Sequence, residues 1–169
     1  MLSENIINIY READGLQGRM DMGIAEKALE RRRDMSYIDK IKDRAKMDKK
    51  TIVLPESKDK RTLIAAAKIV EEGIADIIMV GNEEKITDGA GWLEVDLTGV
   101  AVIDPAKTSK LDEYVELLYE TRKAKGMTPE KARETLLNDY LTFGIVMVKA
   151  GDADGMVAGA CHSTAETLR

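Results

Sequence analysis

The stretch TIVLPESKDKRTLIAAAKIVEEGIADIIMVG, residues 51–81, decides the fold of this chain. It opens with residues 51–55, a short apolar run with β-branched side chains that a proline ends, as is typical of a buried strand in a parallel sheet. Residues 61–73 then place apolar side chains at helical spacing and end at a glycine, which predicts a helix with its C-cap. A second apolar run at residues 76–80 predicts another strand, so the stretch is a strand–helix–strand unit.

The same alternation continues on either side of this unit. Two more strands are predicted over residues 100–103 and 153–158, with Gly89 and Gly91 marking a loop before the first of them. Helices are predicted from about residue 36 to the turn at residues 48–50, and over residues 82–87, 109–125, 129–138 and 140–149. Strands that alternate with helices indicate an α/β fold, a parallel sheet with helices on both faces and right-handed crossovers.

Residues 1–35 differ from the rest of the chain. Apolar residues recur there at helical spacing, glycines interrupt them, and three consecutive arginines, residues 31–33, end the segment. The pattern predicts a helical N-terminal extension whose arginines form a solvated face. An amphipathic helix that docks onto a partner is the alternative.

Composition restricts the class of protein. The 169 residues are 44% hydrophobic and 34% charged, which is the balance of a globular chain and not of a disordered one. The net charge of −5, without a basic tract, gives no reason to expect nucleic acid as a partner. No apolar run has the roughly 18 residues that a membrane span needs. A single cysteine and the lack of a signal peptide at the start indicate a cytoplasmic protein with no membrane partner.

The end of the chain carries two signals. Ser163 and Glu166 have the spacing of a capping box, which predicts that a helix begins at Ser163. The chain stops three residues after Glu166. Because one helical turn costs more to nucleate than its hydrogen bonds return, we expect the natural polypeptide to continue.

The second signal is an anion site after the strand at residues 153–158. Ligands of open α/β sheets bind at the carboxyl ends of the strands. Gly155 and Gly159 would let the backbone approach a ligand, and the N–H groups at the start of the next helix would face it. The hydroxyls of Ser163 and Thr164 and the guanidinium of Arg169 would add side-chain contacts.

Other reactive side chains give weaker signals. His162 is the only histidine, so no zinc cluster is predicted; a structural role is favoured, with orientation of a ligand as the alternative. Cys161 would need an activating base to act as a nucleophile, so a packing thiol is favoured. Glu56 and Asp154 stand as isolated carboxylates at strand ends and do not suggest an acid–base pair.

The chain contains eight ungapped blocks: TIVLPE at residues 51–56, RTL at 61–63, AAAK at 65–68, GIAD at 73–76, VGN at 80–82, RKAKG at 122–126, ADGMVAGACHST at 153–164 and TLR at 167–169. In this order they resemble the phosphate acetyltransferase family, from about residue 36 to the last residue. The resemblance implies a reversible exchange of acetyl-CoA and phosphate for CoA and acetyl phosphate. It also implies a homo-oligomer that needs no metal or prosthetic group.

The resemblance further implies an architecture like that of isocitrate and isopropylmalate dehydrogenases, with substrates bound between two α/β domains. Residues 36–140 would belong to the first domain and residues 141–169 would begin a truncated second one. The substrate-binding residues that it implies are Arg122, Ser163, Thr164 and Arg169. Arg61 is either a CoA-phosphate contact or a solvated charge, and Arg122 could instead be an ordinary charge at a helix end.

The catalytic residues of the family, a Ser-Arg pair and an Asp, are expected in polypeptide beyond this chain. The chain alone is therefore expected to be inactive. Two other functions stay open: a phosphate butyryltransferase that takes a larger acyl group, and a non-catalytic homologue that binds CoA or docks to a partner through residues 1–35.

Overall fold

The computed structural model describes residues 37–162. The predictions made for residues 1–35 and for Ser163, Thr164 and Arg169 lie outside the described residues. The chain divides into two compact units, residues 1–41 and 42–169, and the account below concerns the second. The predicted domain division at residue 140 stays a prediction.

The structure alternates strands and helices as the sequence predicts. In chain order the elements are α1 (Tyr37–Met47), β1 (Thr51–Leu54), α2 (Lys60–Glu71), β2 (Asp76–Val80), α3 (Glu83–Trp92), β3 (Ala101–Ile103), α4 (Leu111–Arg122), a 3₁₀ turn (Lys123–Lys125), α5 (Pro129–Asn138), α6 (Tyr140–Ala150) and β4 (Gly155–Met156). The predicted α/β class is confirmed.

The four strands form one parallel sheet in the order β3-β2-β1-β4. The chain moves from β1 through β2 to β3 on one side of β1, and then crosses over to place β4 on the other side. The direction of strand addition therefore reverses between β1 and β4. In open α/β sheets the crevice that binds ligands opens at such a reversal, beyond the carboxyl ends of the strands.

Side chains that alternate along the strands fill two separate cores. Val53 and Val80 pack in a cluster with residues of α4, α5 and α6. Leu54 and Met79 pack in a second cluster with residues of α2 and α3. Since neighbouring residues of a strand point to opposite faces, the two clusters lie on opposite faces of the sheet. Helices on both faces, as the sequence predicts, are confirmed.

Two boundaries differ clearly from the prediction. The strand predicted over residues 153–158 is shorter in the structure, where β4 spans only Gly155–Met156. Helix α3 continues to Trp92, so Gly89 and Gly91 lie in its last turns and not in a loop. A glycine inside a helix costs about 1 kcal/mol relative to alanine, which packing can offset. A Cβ at Gly89 would lie 3.3 Å from Cδ1 of Leu63, so the small residue lets α3 approach α2 closely.

Gly144 has a similar but tighter position in α6. A Cβ there would lie 2.8 Å from Sδ of Met156 and 3.1 Å from Cγ1 of Val53. The glycine thus lets α6 lie directly against β1 and β4, just below the edge where the crevice opens. Within residues 37–162, no helix has both the length and the apolar character to cross a membrane.

We predict that Gly144→Ala destabilises the protein by about 1–3 kcal/mol, because the added methyl overfills the contact with β1 and β4. Gly91→Ala is the matched control: it lies in a helix with no atom within 4 Å of the added Cβ, and should stabilise by up to about 1 kcal/mol. Urea unfolding of both variants measures the difference. Equal stability of the two variants would contradict the close packing of α6.

Candidate functional site

The loops that follow β1 and β4 meet at the carboxyl edge of the sheet. Glu56 stands two residues after β1, and residues 159–162 follow β4. Because β1 and β4 are neighbours in the sheet, these two segments are brought together although more than 100 residues separate them in sequence.

Glu56 is buried, and its carboxylate accepts hydrogen bonds from four consecutive backbone N–H groups. Oε2 accepts from Gly159 at 2.8 Å and from Ala160 at 2.7 Å. Oε1 accepts from Cys161 at 2.9 Å and from His162 at 3.1 Å. Converging N–H groups of this kind form an anion-binding nest, and here the anion is a side chain of the protein itself. Gly159, with a φ of 113°, permits the left-handed turn that starts the nest.

The charge of Glu56 is stabilised by these donors. Burial alone would raise the pKa of the carboxyl group, but the hydrogen bonds from Cys161, His162 and Ala160 outweigh it and lower the pKa to about 2. Glu56 is therefore ionised at neutral pH, and both of its carboxylate oxygens accept hydrogen bonds.

His162 and Cys161 complete this cluster. The Nδ1 atom of His162 lies 2.7 Å from Oε1 of Glu56, and a third of the histidine side chain is exposed. Cys161 is exposed, with its Sγ 3.9 Å from the same Nδ1, so the predicted packing thiol is wrong. Partial desolvation and the neighbouring Glu56 carboxylate raise the pKa of the Cys161 thiol, which does not favour a nucleophile.

The three side chains also satisfy the distance requirement for a metal site. Among residues 37–162, ligand atoms of Glu56, Cys161 and His162 lie within 4.8 Å of one another. Both Glu56 oxygens already accept backbone hydrogen bonds, and Oε1 also faces Nδ1 of His162. A cation would have to displace the backbone donors, so this donor set does not fit a resident metal ion.

A cleft of about 900 Å³ opens beside the cluster. Its volume is within the range of small-molecule sites. Two cations, Lys58 and Arg122, lie on its wall, and Lys58 Nζ is 5.8 Å from the centre of the Tyr140 ring. Its lining also includes Glu56, Cys161, His162, and residues 137–142 from the end of α5 and the start of α6.

The start of α6 borders the cleft, and two of its N–H groups already have an acceptor within the protein. Oδ1 of Asp139 accepts from the backbone N–H groups of Leu141 and Thr142 at 3.0 and 3.3 Å. The nest and this helix start, two backbone anion sites on the cleft wall, are thus filled by the protein's own carboxylates. The N–H groups of residues 159–162 thus donate to Glu56. The expected contact of a ligand anion with the backbone after β4 stays a prediction, because the helix start expected at Ser163 lies outside the described residues.

The predicted binding residues fall into three groups. Arg122 lies on the cleft wall, and its binding role stays a prediction. Arg61 is bound elsewhere: its guanidinium contacts both oxygens of Asp59, at 3.0 and 2.7 Å, and donates to the Ala160 carbonyl at 2.5 Å. Ser163, Thr164 and Arg169 lie outside the described residues.

Sequence reasoning missed the roles of Glu56 and His162. The two residues were considered separately, because no sequence pattern indicates that β1 and β4 are neighbours in the sheet. One signal was available. A carboxylate follows one predicted strand, a segment that begins with glycine follows another, and the carboxyl ends of parallel strands lie at the same edge of a sheet.

We predict that Glu56→Gln destabilises the protein by about 2–4 kcal/mol, because the amide places donors against the N–H groups of the nest. The exposed Glu71→Gln is the control and should change stability by less than about 0.5 kcal/mol. Chemical unfolding at neutral pH measures both. A Glu56→Gln variant as stable as the control would show that the nest does not hold the two loops together.

The low pKa of Glu56 also predicts how the stability of the protein depends on pH. The folded pKa of Glu56 is about 2, below its ordinary value of 4.5, so its stabilisation is complete above about pH 4.5. It is lost as the pH falls towards 2. The stability difference between wild type and Glu56→Gln should therefore shrink across this window, and a constant difference would contradict the assignment.

Comparisons with known proteins agree with this architecture. The profile of the family described as phosphate acetyl/butaryl transferase matches residues 36–169. The phosphate acetyltransferase of Acetivibrio thermocellus is 53% identical over 135 residues, which are 80% of this chain and 40% of the relative. That of Thermoanaerobacterium thermosaccharolyticum is 49% identical over the same shares. The chain therefore spans about two fifths of the length of these curated relatives.

Solved structures give the same result. A phosphotransacetylase from Streptococcus pyogenes superimposes with a TM-score of 0.73 at 35% identity, covering 80% of this chain and 41% of the other. The EutD phosphotransacetylase from Staphylococcus aureus has a TM-score of 0.69 at 40% identity, covering 76% and 38%. By the family profile, these relatives and the fold, the chain belongs to the phosphate acetyl/butaryl transferase family.

Proposed function

We propose that this sequence forms the cleft-bearing part of a phosphate acetyltransferase, which exchanges acetyl-CoA and phosphate for CoA and acetyl phosphate. The observation that carries the proposal is a cleft of about 900 Å³ at the strand reversal of a chain whose relatives are named phosphate acetyltransferases. We also infer that the whole enzyme is a cytoplasmic homo-oligomer that acts in acetate metabolism and needs no metal or prosthetic group.

Charge in the cleft supports a phosphorylated substrate. CoA, phosphate and acetyl phosphate are all anions, and the two cations Lys58 and Arg122 line the wall. Arg122 can bind a phosphate through two parallel N–H donors, whereas Lys58 acts as a point charge. We infer that these two residues bind phosphate groups, with Ser163, Thr164 and Arg169 contributing from the segment that follows.

Arg61 has a different role in this proposal. Its guanidinium holds Asp59 on one side and the carbonyl of Ala160 on the other, so it braces the loop after β4 against the start of α2. It could still reach a phosphate of CoA at the exposed edge, since about three quarters of its side chain is exposed.

A phosphate butyryltransferase is the second candidate, because the description of the matching family includes both acyl groups. The relatives named above are phosphate acetyltransferases, which favours the acetyl group. Turnover of acetyl-CoA and butyryl-CoA by the full-length enzyme separates the two. The third candidate, a docking homologue, depends on residues 1–35, outside the described part of the chain.

We predict that Arg122→Ala weakens binding of coenzyme A to this chain about 10-fold to 100-fold, the effect of losing one charge-assisted hydrogen bond. Arg133→Ala is the matched control, because Arg133 pairs with Asp112 and does not line the cleft. Isothermal titration calorimetry at low salt measures both, and wild-type binding should weaken as salt is added. Equal losses in the two variants, or no binding by wild type, would contradict the proposed site.

We further predict that the chain alone forms no acetyl phosphate from acetyl-CoA and phosphate, since it spans about two fifths of the relatives. A coupled assay for released CoA thiol checks this. Turnover by the 169-residue chain at the rate of an ordinary enzyme would show that the residues needed for catalysis are all present here.

A further inference from the structure

Lys58 is a cation on the cleft wall that contacts an aromatic ring instead of an acid. Its side chain is exposed, and no ion pair among residues 37–162 includes it. Its ammonium group lies over the ring of Tyr140, with Nζ 5.8 Å from the ring centre. At up to about 6 Å, the face of an aromatic ring attracts a cation.

The acidic residues that flank this contact in the sequence are engaged with other donors. Glu56 accepts the four N–H groups of the nest. Asp59 accepts from a guanidinium and from a backbone N–H at the start of α2. Asp139 caps α6 and also accepts from a threonine hydroxyl. In the described part of the chain, Lys58 is therefore left with a charge that no contacting carboxylate neutralises.

The ring of Tyr140 is held in place by the protein itself. Tyr140 is the first residue of α6, is half-buried, and packs against the core cluster of α4, α5 and α6. A Cβ at Gly81 would lie 3.3 Å from Cε2 of the ring, so the backbone after β2 also approaches it closely. Because Tyr140 and Lys58 both line the cleft, the ring offers a fixed surface there to a long, flexible side chain.

We propose that Tyr140 is a positioning residue that holds the ammonium group of Lys58 at the cleft for a phosphate group of the substrate, in place of an ion pair. The inference rests on the proposed function, which supplies a phosphorylated substrate. A carboxylate partner would hold the ammonium group, but an incoming phosphate would have to displace it. The ring attracts the cation and leaves its charge unneutralised, so Lys58 can bind a phosphate as soon as one arrives.

Substitutions separate this attraction from ordinary packing of the lysine stem on the ring. Tyr140→Phe removes the hydroxyl and keeps the aromatic face, whereas Tyr140→Leu keeps an apolar side chain and removes the face. Lys58→Met keeps a long apolar stem and removes the charge. If the ring acts through the charge of Lys58, only Tyr140→Leu should disturb the lysine, and it should do so only while the charge is present.

The first test is NMR of the chain labelled with ¹³C-lysine, without ligand. The Lys58 signals are identified by their absence in Lys58→Met. Protons over an aromatic face resonate upfield, so we expect the Hε protons of Lys58 upfield of those of Lys60, an exposed control nearby. Tyr140→Phe should keep this displacement and Tyr140→Leu should abolish it. Lys58 signals at the position of Lys60 in the wild type overturn the inference, whether or not the Tyr140 variants fold.

The second test measures binding of coenzyme A and, separately, of inorganic phosphate. Tyr140→Leu should weaken binding of at least one of them about twofold to fivefold, the effect of losing an exposed cation–ring contact. Tyr140→Phe should bind like wild type, and Tyr140→Leu should cause no further loss in a Lys58→Met chain. Weaker binding of coenzyme A assigns Lys58 to a phosphate of that ligand. Weaker binding of inorganic phosphate alone assigns it to the phosphate that exchanges with the thiol.

Two results would contradict the inference and leave the proposed function standing. One is equal binding of both ligands by Tyr140→Leu and Tyr140→Phe. The other is the same loss from Tyr140→Leu with and without the charge of Lys58. If neither ligand binds to the wild-type chain, the proposed function fails and the inference fails with it. An upfield Lys58 signal in that chain would then show a cation–ring contact without a substrate to serve.

Discussion

The carboxylate of Glu56 is the interaction on which the described site depends. It links the ends of two strands that are neighbours only in space, through four backbone N–H groups of residues 159–162. These four consecutive N–H groups converge on one carboxylate, as in an anion-binding nest. Glu56 supplies the acceptor, and the same carboxylate holds the ring of His162. One side chain thus contacts both the backbone of the loop after β4 and the ring of His162, while Arg61 holds the same loop through the Ala160 carbonyl.

This arrangement changes how the cleft can recognise an anion. Open α/β proteins often bind phosphate with backbone N–H groups at the edge of the sheet. Here the nest is filled by Glu56 and the start of α6 by Asp139. Among the described residues that line the cleft, the cations are Lys58 and Arg122.

The sequence predicted the elements of the fold well because their signals are local. The apolar runs of β1 and β2 are each specified within a few residues. Helix α3 was predicted too short, because a glycine such as Gly89 weakens a helix locally while its contact with Leu63 comes from tertiary structure. The site was harder still: Glu56 and His162 meet only because β4 adds beside β1, and strand order is not a local property. The motif blocks gave the family, but they could not tell that the amides of residues 159–162 bind a carboxylate of the chain itself.

The central claim is that Glu56 keeps the backbone nest and leaves ligand phosphates to the side chains. A crystal structure of the protein with coenzyme A bound tests it most directly. The account predicts that the Glu56 oxygens stay within hydrogen-bond distance of the N–H groups of residues 159–162, with phosphate groups of the ligand on Arg122 and Lys58. A ligand phosphate seated in the nest, with Glu56 displaced from it, would contradict the account.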